Sequence, residues 1–273
     1  MEGPAMDGGA GAVSGAVAVG ACSVMSLLYV GILYAPGLLL RLPPPKTVNS
    51  FLIRRFICVA IASLISMLAC AILLGVWSFE PTPSIFGIYG IRLDHFVRRD
   101  ILNRIQNAGS NMLFWRNFIV APLTEEIVFR ACMIPLLLCG GFKTFSIIFF
   151  SPIFFSLAHL NHFLELYYHG GYGFLRAFMV VGLQLGYTVI FGGYASFLFL
   201  RTGNLICPVM AHVFCNMMGL PAFLSSQAKG LTRVAFAVGV AGFLLLLFPL
   251  TSPDLYSDSP DDCRCWHGRC CWD

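Results

Sequence analysis

The chain has 273 residues, 58% of them hydrophobic and only 11% charged, with a mean hydropathy of +0.80 and a formal net charge of +4. A soluble globular domain carries roughly 25% charged residues. So much apolar surface cannot be hidden in one water-soluble core, and the expected class is an all-α polytopic transmembrane helical bundle. The mild positive charge forms no basic stripe, so no nucleic acid is expected as a partner, and it fits basic loops flanking membrane spans.

Residues 1–11 are rich in Gly and Ala and read as a disordered N-terminus. Val13–Leu40 is the first apolar run. It lacks a basic n-region and is too long for a signal peptide, so it reads as a true span, ending near Pro36. Arg41, Lys46, Arg54 and Arg55 follow, an excess that points to a cytosolic loop. Phe56–Val76 is a second span of about the 20 residues a bilayer needs. Ser78–Ser110 is more polar and again basic, with Arg92, Arg98, Arg99 and Arg104. Two consecutive basic loops cannot both be cytosolic across one simple span, so orientation stays open.

Phe114–Leu138 is the next helix, with Pro122 inside it or near its start and Gly140-Gly141 ending it. Thr144–Leu160 is a span closing on His159. Phe174–Leu200 is long enough for one tilted span, or for two short ones broken near Gly192-Gly193. Asn204–Phe223 and Arg233–Leu250 complete a count of about seven or eight membrane segments. Residues 12–250 form the transmembrane domain, and 251–273 an acidic, Cys-rich tail. Of eleven cysteines, Cys22, Cys58, Cys70, Cys132, Cys139, Cys207 and Cys215 lie in apolar segments, where cysteine behaves as a small hydrophobe. Cys263, Cys265, Cys270 and Cys271 crowd the last eleven residues.

A few polar groups remain at membrane depth: Glu125, Glu126, Arg130, His159, His212, Asn216 and Gln184. A charge at the bilayer centre costs about 2.5–3.5 kcal/mol on insertion scales, so such groups face a bundle interior or a wet cavity. Glu126 and Arg130 are i and i+4, the spacing of an ion pair on one helix face. Glu125 is rotated about 100° away and is free to accept a proton. His212 and Asn216 are also i and i+4, so both side chains can reach a single point. A carboxylate with a histidine can deprotonate water, and a second histidine with an asparagine amide can stabilise an oxyanion. That set suits metal-free amide hydrolysis. It suits an ion- or proton-coupled transporter about equally well. A His₂Glu zinc site from Glu125, His159 and His212 is a third reading, although no H-E-x-x-H is present. Each buried His or Asn alone is more often a helix–helix hydrogen bond.

Glu125-Glu126-x-x-x-Arg130, Phe155-x-x-x-His159 and His212-x-x-x-Asn216, in that order in successive apolar segments, resemble the CAAX protease and bacteriocin-processing superfamily of intramembrane enzymes. Residues 116–132, Phe197–Gly203 and His212–Asn216 look closer still to its eukaryotic branch, the type II CAAX prenyl endopeptidases or Ras-converting enzymes. The resemblance covers roughly Tyr29 to Tyr256. It implies a multi-pass endoplasmic-reticulum membrane endopeptidase with its active site open to the cytosol. Its substrates would be farnesylated or geranylgeranylated CAAX proteins, such as Ras-like small GTPases, which would lose their last three residues. By the same resemblance Glu125 and His159 activate water, His212 and Asn216 support the oxyanion, and Glu126 and Arg130 brace the site. No metal, cofactor or covalent nucleophile is implied, and the partners besides substrate are membrane lipids. The segment Cys263–Asp273 departs from the family. Metal binding, palmitoylation and an alternative or misread C-terminus are the readings open to it, the last preferred. The ending Cys270-Cys271-Trp272-Asp273 lacks aliphatic residues after its cysteine, so the chain is not expected to carry a CAAX box of its own.

Overall fold

The computed structural model describes residues 13–75, 111–219, 230–252 and 255. The expected N-terminal disorder, the basic stretch Ser78–Ser110 and almost all of the C-terminal tail lie outside the described residues. Everything described is helix, turn or coil, with no strand among the described residues. Four helices there are long and apolar enough to cross a membrane: Gly15–Leu38, Val48–Leu73, Thr144–Tyr168 and Phe174–Thr202. Two shorter apolar helices, Ile206–Met218 and Val234–Leu250, accompany them. The protein is a multi-pass helical membrane protein.

Helix α1 runs over Gly15–Gly31 and continues through a tight turn, Ile32–Tyr34, into Ala35–Leu38. Helix α2 is Val48–Leu73. It starts two turns earlier than the apolar pattern suggests, so Arg54 and Arg55 lie in the helix and not in a loop. The reason is a capping box. Thr47 Oγ1 accepts from the Ser50 N–H, and Ser50 Oγ accepts in turn from the Thr47 N–H.

Helix α3 occupies residues 112–139 as one continuous rod, assembled from Met112–Trp115, Arg116–Val120, Ala121–Glu126, Ile127–Cys132 and Met133–Cys139. Arg116–Val120 and Ile127–Cys132 are wide π-helical turns, a feature often found at functional sites. They flank the double glutamate. Every residue from Val128 to Leu138 is buried, as expected of a helix that is apolar all round. Helices α1 and α2 clamp it. Tyr29 and Thr124 share a hydroxyl hydrogen bond of 2.9 Å, and Cys70 Sγ lies 3.4 Å from the Cys132 carbonyl.

Helix α4, Thr144–Leu157, passes through a tight turn at Ala158–Leu160 and continues through Asn161–Leu164 and Glu165–His169. The span therefore does not close on His159. Helix α5, Phe174–Thr202, is unbroken at Gly192-Gly193. It packs closely along α4. Ser151 and Ser196 share a 2.8 Å hydrogen bond, and Thr188 Oγ1 donates to Ser156 Oγ at 3.2 Å. Helix α6 is Ile206–Met218 and α7 is Gly230–Leu250.

Candidate active site

The site grows outward from Glu126, the most enclosed carboxylate among the described residues at 0% exposure. One turn on, Arg130 Nη1 donates to Glu126 Oε1 at 3.2 Å, while Nε lies 3.1 Å from Oε2 without hydrogen-bonding geometry. The guanidinium also reaches α5, where Nη2 donates to the Gly192 carbonyl at 3.4 Å. Its face covers the Phe155 ring at 4.5 Å. An arginine that is 1% exposed thus has an anion, a carbonyl and a π-face around it, which is what a buried charge requires.

Glu126 has a second ligand from α6. His212 Nδ1 stands 2.7 Å from Glu126 Oε1. A carboxylate accepts, so Nδ1 carries the proton, and Nε2 is turned toward Glu125, 3.8 Å from Oε2. The two adjacent glutamates are therefore bridged by one imidazole, with Glu126 buried and the Glu125 side chain 17% exposed.

His159 is oriented independently. Its Nδ1 lies 2.9 Å from the Phe155 carbonyl, which can only accept. That contact places the proton on Nδ1 and leaves the Nε2 lone pair of a neutral ring available. Phe155, 2% exposed, is the common wall: its ring meets His159 at 4.9 Å, Phe129 at 5.2 Å and His212 at 6.3 Å, each edge-on.

Asn216 goes elsewhere. Its Nδ2 donates to the Asn117 carbonyl at 2.9 Å. The local backbone explains why that carbonyl is available. In the first wide turn the Ala121 N–H reaches back five residues to Arg116. In that register the donor for Asn117 is residue 122, a proline with no N–H. The α6 amide fills the gap, and α3 continues through Pro122 without a break. His212 and Asn216 thus meet two points on α3, Glu126 and Asn117, rather than one.

Glu125 and His159 open onto one cavity of about 120 Å³, well above the 10–15 Å³ a single water needs. Its other walls are Tyr29, Val30 and Leu33 from α1, Leu52, Phe56 and Val59 from α2, and Phe129 from α3. Arg55, Arg116 and His162 supply the remaining polar lining. Arg55 is ion-paired to Glu165, whose other oxygen lies 3.2 Å from His162 Nδ1. Among the described residues no three His, Cys, Asp or Glu side chains are grouped to share a metal ion.

Comparison with known proteins places the chain in a family. The chain is 47% identical to CAAX prenyl protease 2 of Arabidopsis thaliana over 95% of its own length and 97% of that protein's. It is 32% identical to CAAX prenyl protease 2 of Homo sapiens over 89% of its length and 84% of that protein's. Residues 107–218 match the family described as type II CAAX prenyl endopeptidase Rce1-like. The chain belongs to the type II CAAX prenyl endopeptidase family. No solved structure matches it. The matched stretch holds Glu125, Glu126, Arg130, His159, His212 and Asn216 together. Membership in a family of endopeptidases leaves the transporter reading without support.

Several residues besides the six motif residues shape this candidate site. Tyr29 and Arg55 come from helices outside the motif-bearing segments, and no spacing rule links them to Glu125. Arg116 was within reach, since it is a lone cation in the first turns of the motif helix. His162 and Glu165, at i and i+3, carried the spacing of a helical pair.

Proposed function

We propose that the protein removes the C-terminal tripeptide from farnesylated or geranylgeranylated CAAX proteins, Ras-like small GTPases among them, at the endoplasmic-reticulum membrane through a site open to the cytosol. The observation that carries this reading is that Glu125 and His159 line one cavity whose other walls are mainly apolar. A prenyl chain partitions into lipid at about 0.8 kcal/mol per buried CH₂, so a membrane-sunk cavity takes it from the bilayer while the peptide comes from water.

Glu125 and Nε2 of His159 hold one water between them. The water oxygen attacks the carbonyl carbon of the prenylcysteine as its proton passes to this pair. The carbonyl oxygen becomes an oxyanion. His212, with Nδ1–H committed to Glu126, donates Nε2–H to it as an imidazolium. Asn216 serves as the second donor once its amide leaves the Asn117 carbonyl. When the tetrahedral species collapses, the C–N bond breaks and the stored proton moves to the leaving amine. The products are a prenylcysteine carboxylate and a free tripeptide. Glu126 and Arg130 hold the neighbours in register, and no metal or covalent nucleophile enters these steps.

Purified protein in detergent is expected to release the tripeptide from a farnesylated CAAX peptide and to leave the unprenylated peptide intact, as read by mass spectrometry. Glu125→Ala and His159→Ala abolish release, and His212→Ala lowers the rate about 10²–10³-fold, as loss of an oxyanion donor does. Release that persists in either of the first two variants overturns the role assignment. Release lost to a chelator and restored by zinc overturns the metal-free steps.

A further inference from the structure

The substrate of the proposed reaction ends in a free carboxylate three residues beyond the bond that is cut. That charge must be met by the protein, because an uncompensated carboxylate does not enter an apolar cavity. The cavity wall offers two guanidiniums, Arg55 and Arg116. Arg55 is already neutralised by Glu165 and lies over the Phe51 ring at 4.8 Å. Arg116 is exposed and forms no ion pair among the described residues.

The spacing fits as well. Arg116 precedes Glu125 by nine residues on the same continuous helix, at most about 13 Å along its axis at the α-helical 1.5 Å per residue and less where the wide turn Arg116–Val120 shortens the rise. Three extended residues span about 10 Å. With the scissile carbonyl at Glu125, the chain end of a three-residue tail comes within reach of the Arg116 guanidinium, whose planar fork matches a carboxylate in bidentate fashion.

We propose that Arg116 binds the C-terminal carboxylate of the substrate and so sets cleavage three residues from the chain end. It is a specificity-determining residue for the reaction and takes no part in proton transfer. This inference rests on the endopeptidase reading above.

The test compares two farnesylated peptides of one sequence, a free acid and a C-terminal amide, on the same preparation of each protein, so that the folded fraction cancels from their ratio. Wild-type protein is expected to favour the acid in kcat/KM by about 10- to 100-fold, the range of a charge-assisted hydrogen bond. Most of the difference falls in KM. In Arg116→Ala the acid/amide ratio collapses toward one, and Arg116→Lys restores part of it. Arg55→Ala leaves the ratio in place. An unchanged ratio in Arg116→Ala overturns the proposal, as does a wild type indifferent to the amide. Protein that cuts neither peptide overturns the endopeptidase reading itself, and this inference with it.

Discussion

Glu126 and Glu125 are adjacent in the chain and differ in what they hold. Glu126 is fully buried and neutralises Arg130 while anchoring His212. Removing one partner of such a pair strands the other charge and costs about 3–5 kcal/mol. Glu126→Gln is therefore expected to lower the stability of the folded protein by that order, read by thermal unfolding in detergent. Glu125 has a partly exposed side chain, and its His212 contact is a loose 3.8 Å. Glu125→Gln is expected to lose cleavage while changing stability by less than about 1 kcal/mol. Equal destabilisation by the two variants would contradict the division of labour. Half of this was legible beforehand: the i,i+4 spacing announces the Glu126–Arg130 pair. The His212 bond was not, because it joins residues 86 positions apart on helices whose relative placement no periodicity sets.

At the scale of elements, the α4–α5 seam decides where Arg130 can sit. A Cβ on Gly192 would lie 2.9 Å from Pro152 Cβ, 3.2 Å from Pro152 Cα and 3.3 Å from Arg130 Nη2. Glycine here lets two backbones and a guanidinium approach, as small residues do in membrane helix packing. Gly192→Ala forces α5 away from α4 and disturbs the arginine that faces Glu126. The expected loss is about 1–3 kcal/mol, as for overpacking, with reduced cleavage. Gly193 is the built-in control. A Cβ there meets the Ile148 carbonyl at 3.5 Å and Pro152 Cγ at 3.9 Å, both ordinary contacts. Gly193→Ala is expected to leave unfolding and cleavage near wild type, and comparable damage from both variants would refute the packing account. In the sequence the same Gly-Gly pair reads equally well as a helix break. Local propensity records only the backbone entropy of glycine, about 1 kcal/mol against Ala in a helix interior. It does not see the neighbour that makes the missing side chain useful. The early start of α2 is the opposite case: Thr47-x-x-Ser50 is a readable cap signal, overshadowed by the arginines behind it.

At the scale of the whole molecule, the candidate site residues come from α3, α4 and α6 among the described residues, while α1 and α2 complete the cavity wall with mainly apolar side chains and Arg55. The all-α membrane class was legible from composition because apolar excess is a property of the whole chain. The cavity was not, since it is bounded by four helices whose crossing depends on contacts such as Tyr29–Thr124. Helix α7 stands apart from this arrangement. None of its described residues is buried. It meets α5 where Phe243 lies edge-on to Tyr194 at 5.5 Å and Phe248 edge-on to Phe197 at 5.5 Å. Arg201 Nη2 also donates to the Phe248 carbonyl at 3.3 Å. These contacts lie on the side of α5 that leads away from Gly192 and Arg130. A hydrogen bond between membrane helices is worth about 0.6 kcal/mol on average, which is close to threefold in an equilibrium constant. A chain ended before residue 230 is therefore expected to insert, to fold, and to cleave a farnesylated peptide within about threefold of the full-length kcat/KM. The readout is kcat/KM in detergent for both proteins, with monodispersity as the folding check. A soluble, monodisperse truncation that has lost cleavage would mean that α7 supports the site through α5 after all. Phe243→Ala and Phe248→Ala in the full chain would then be expected to reproduce the loss.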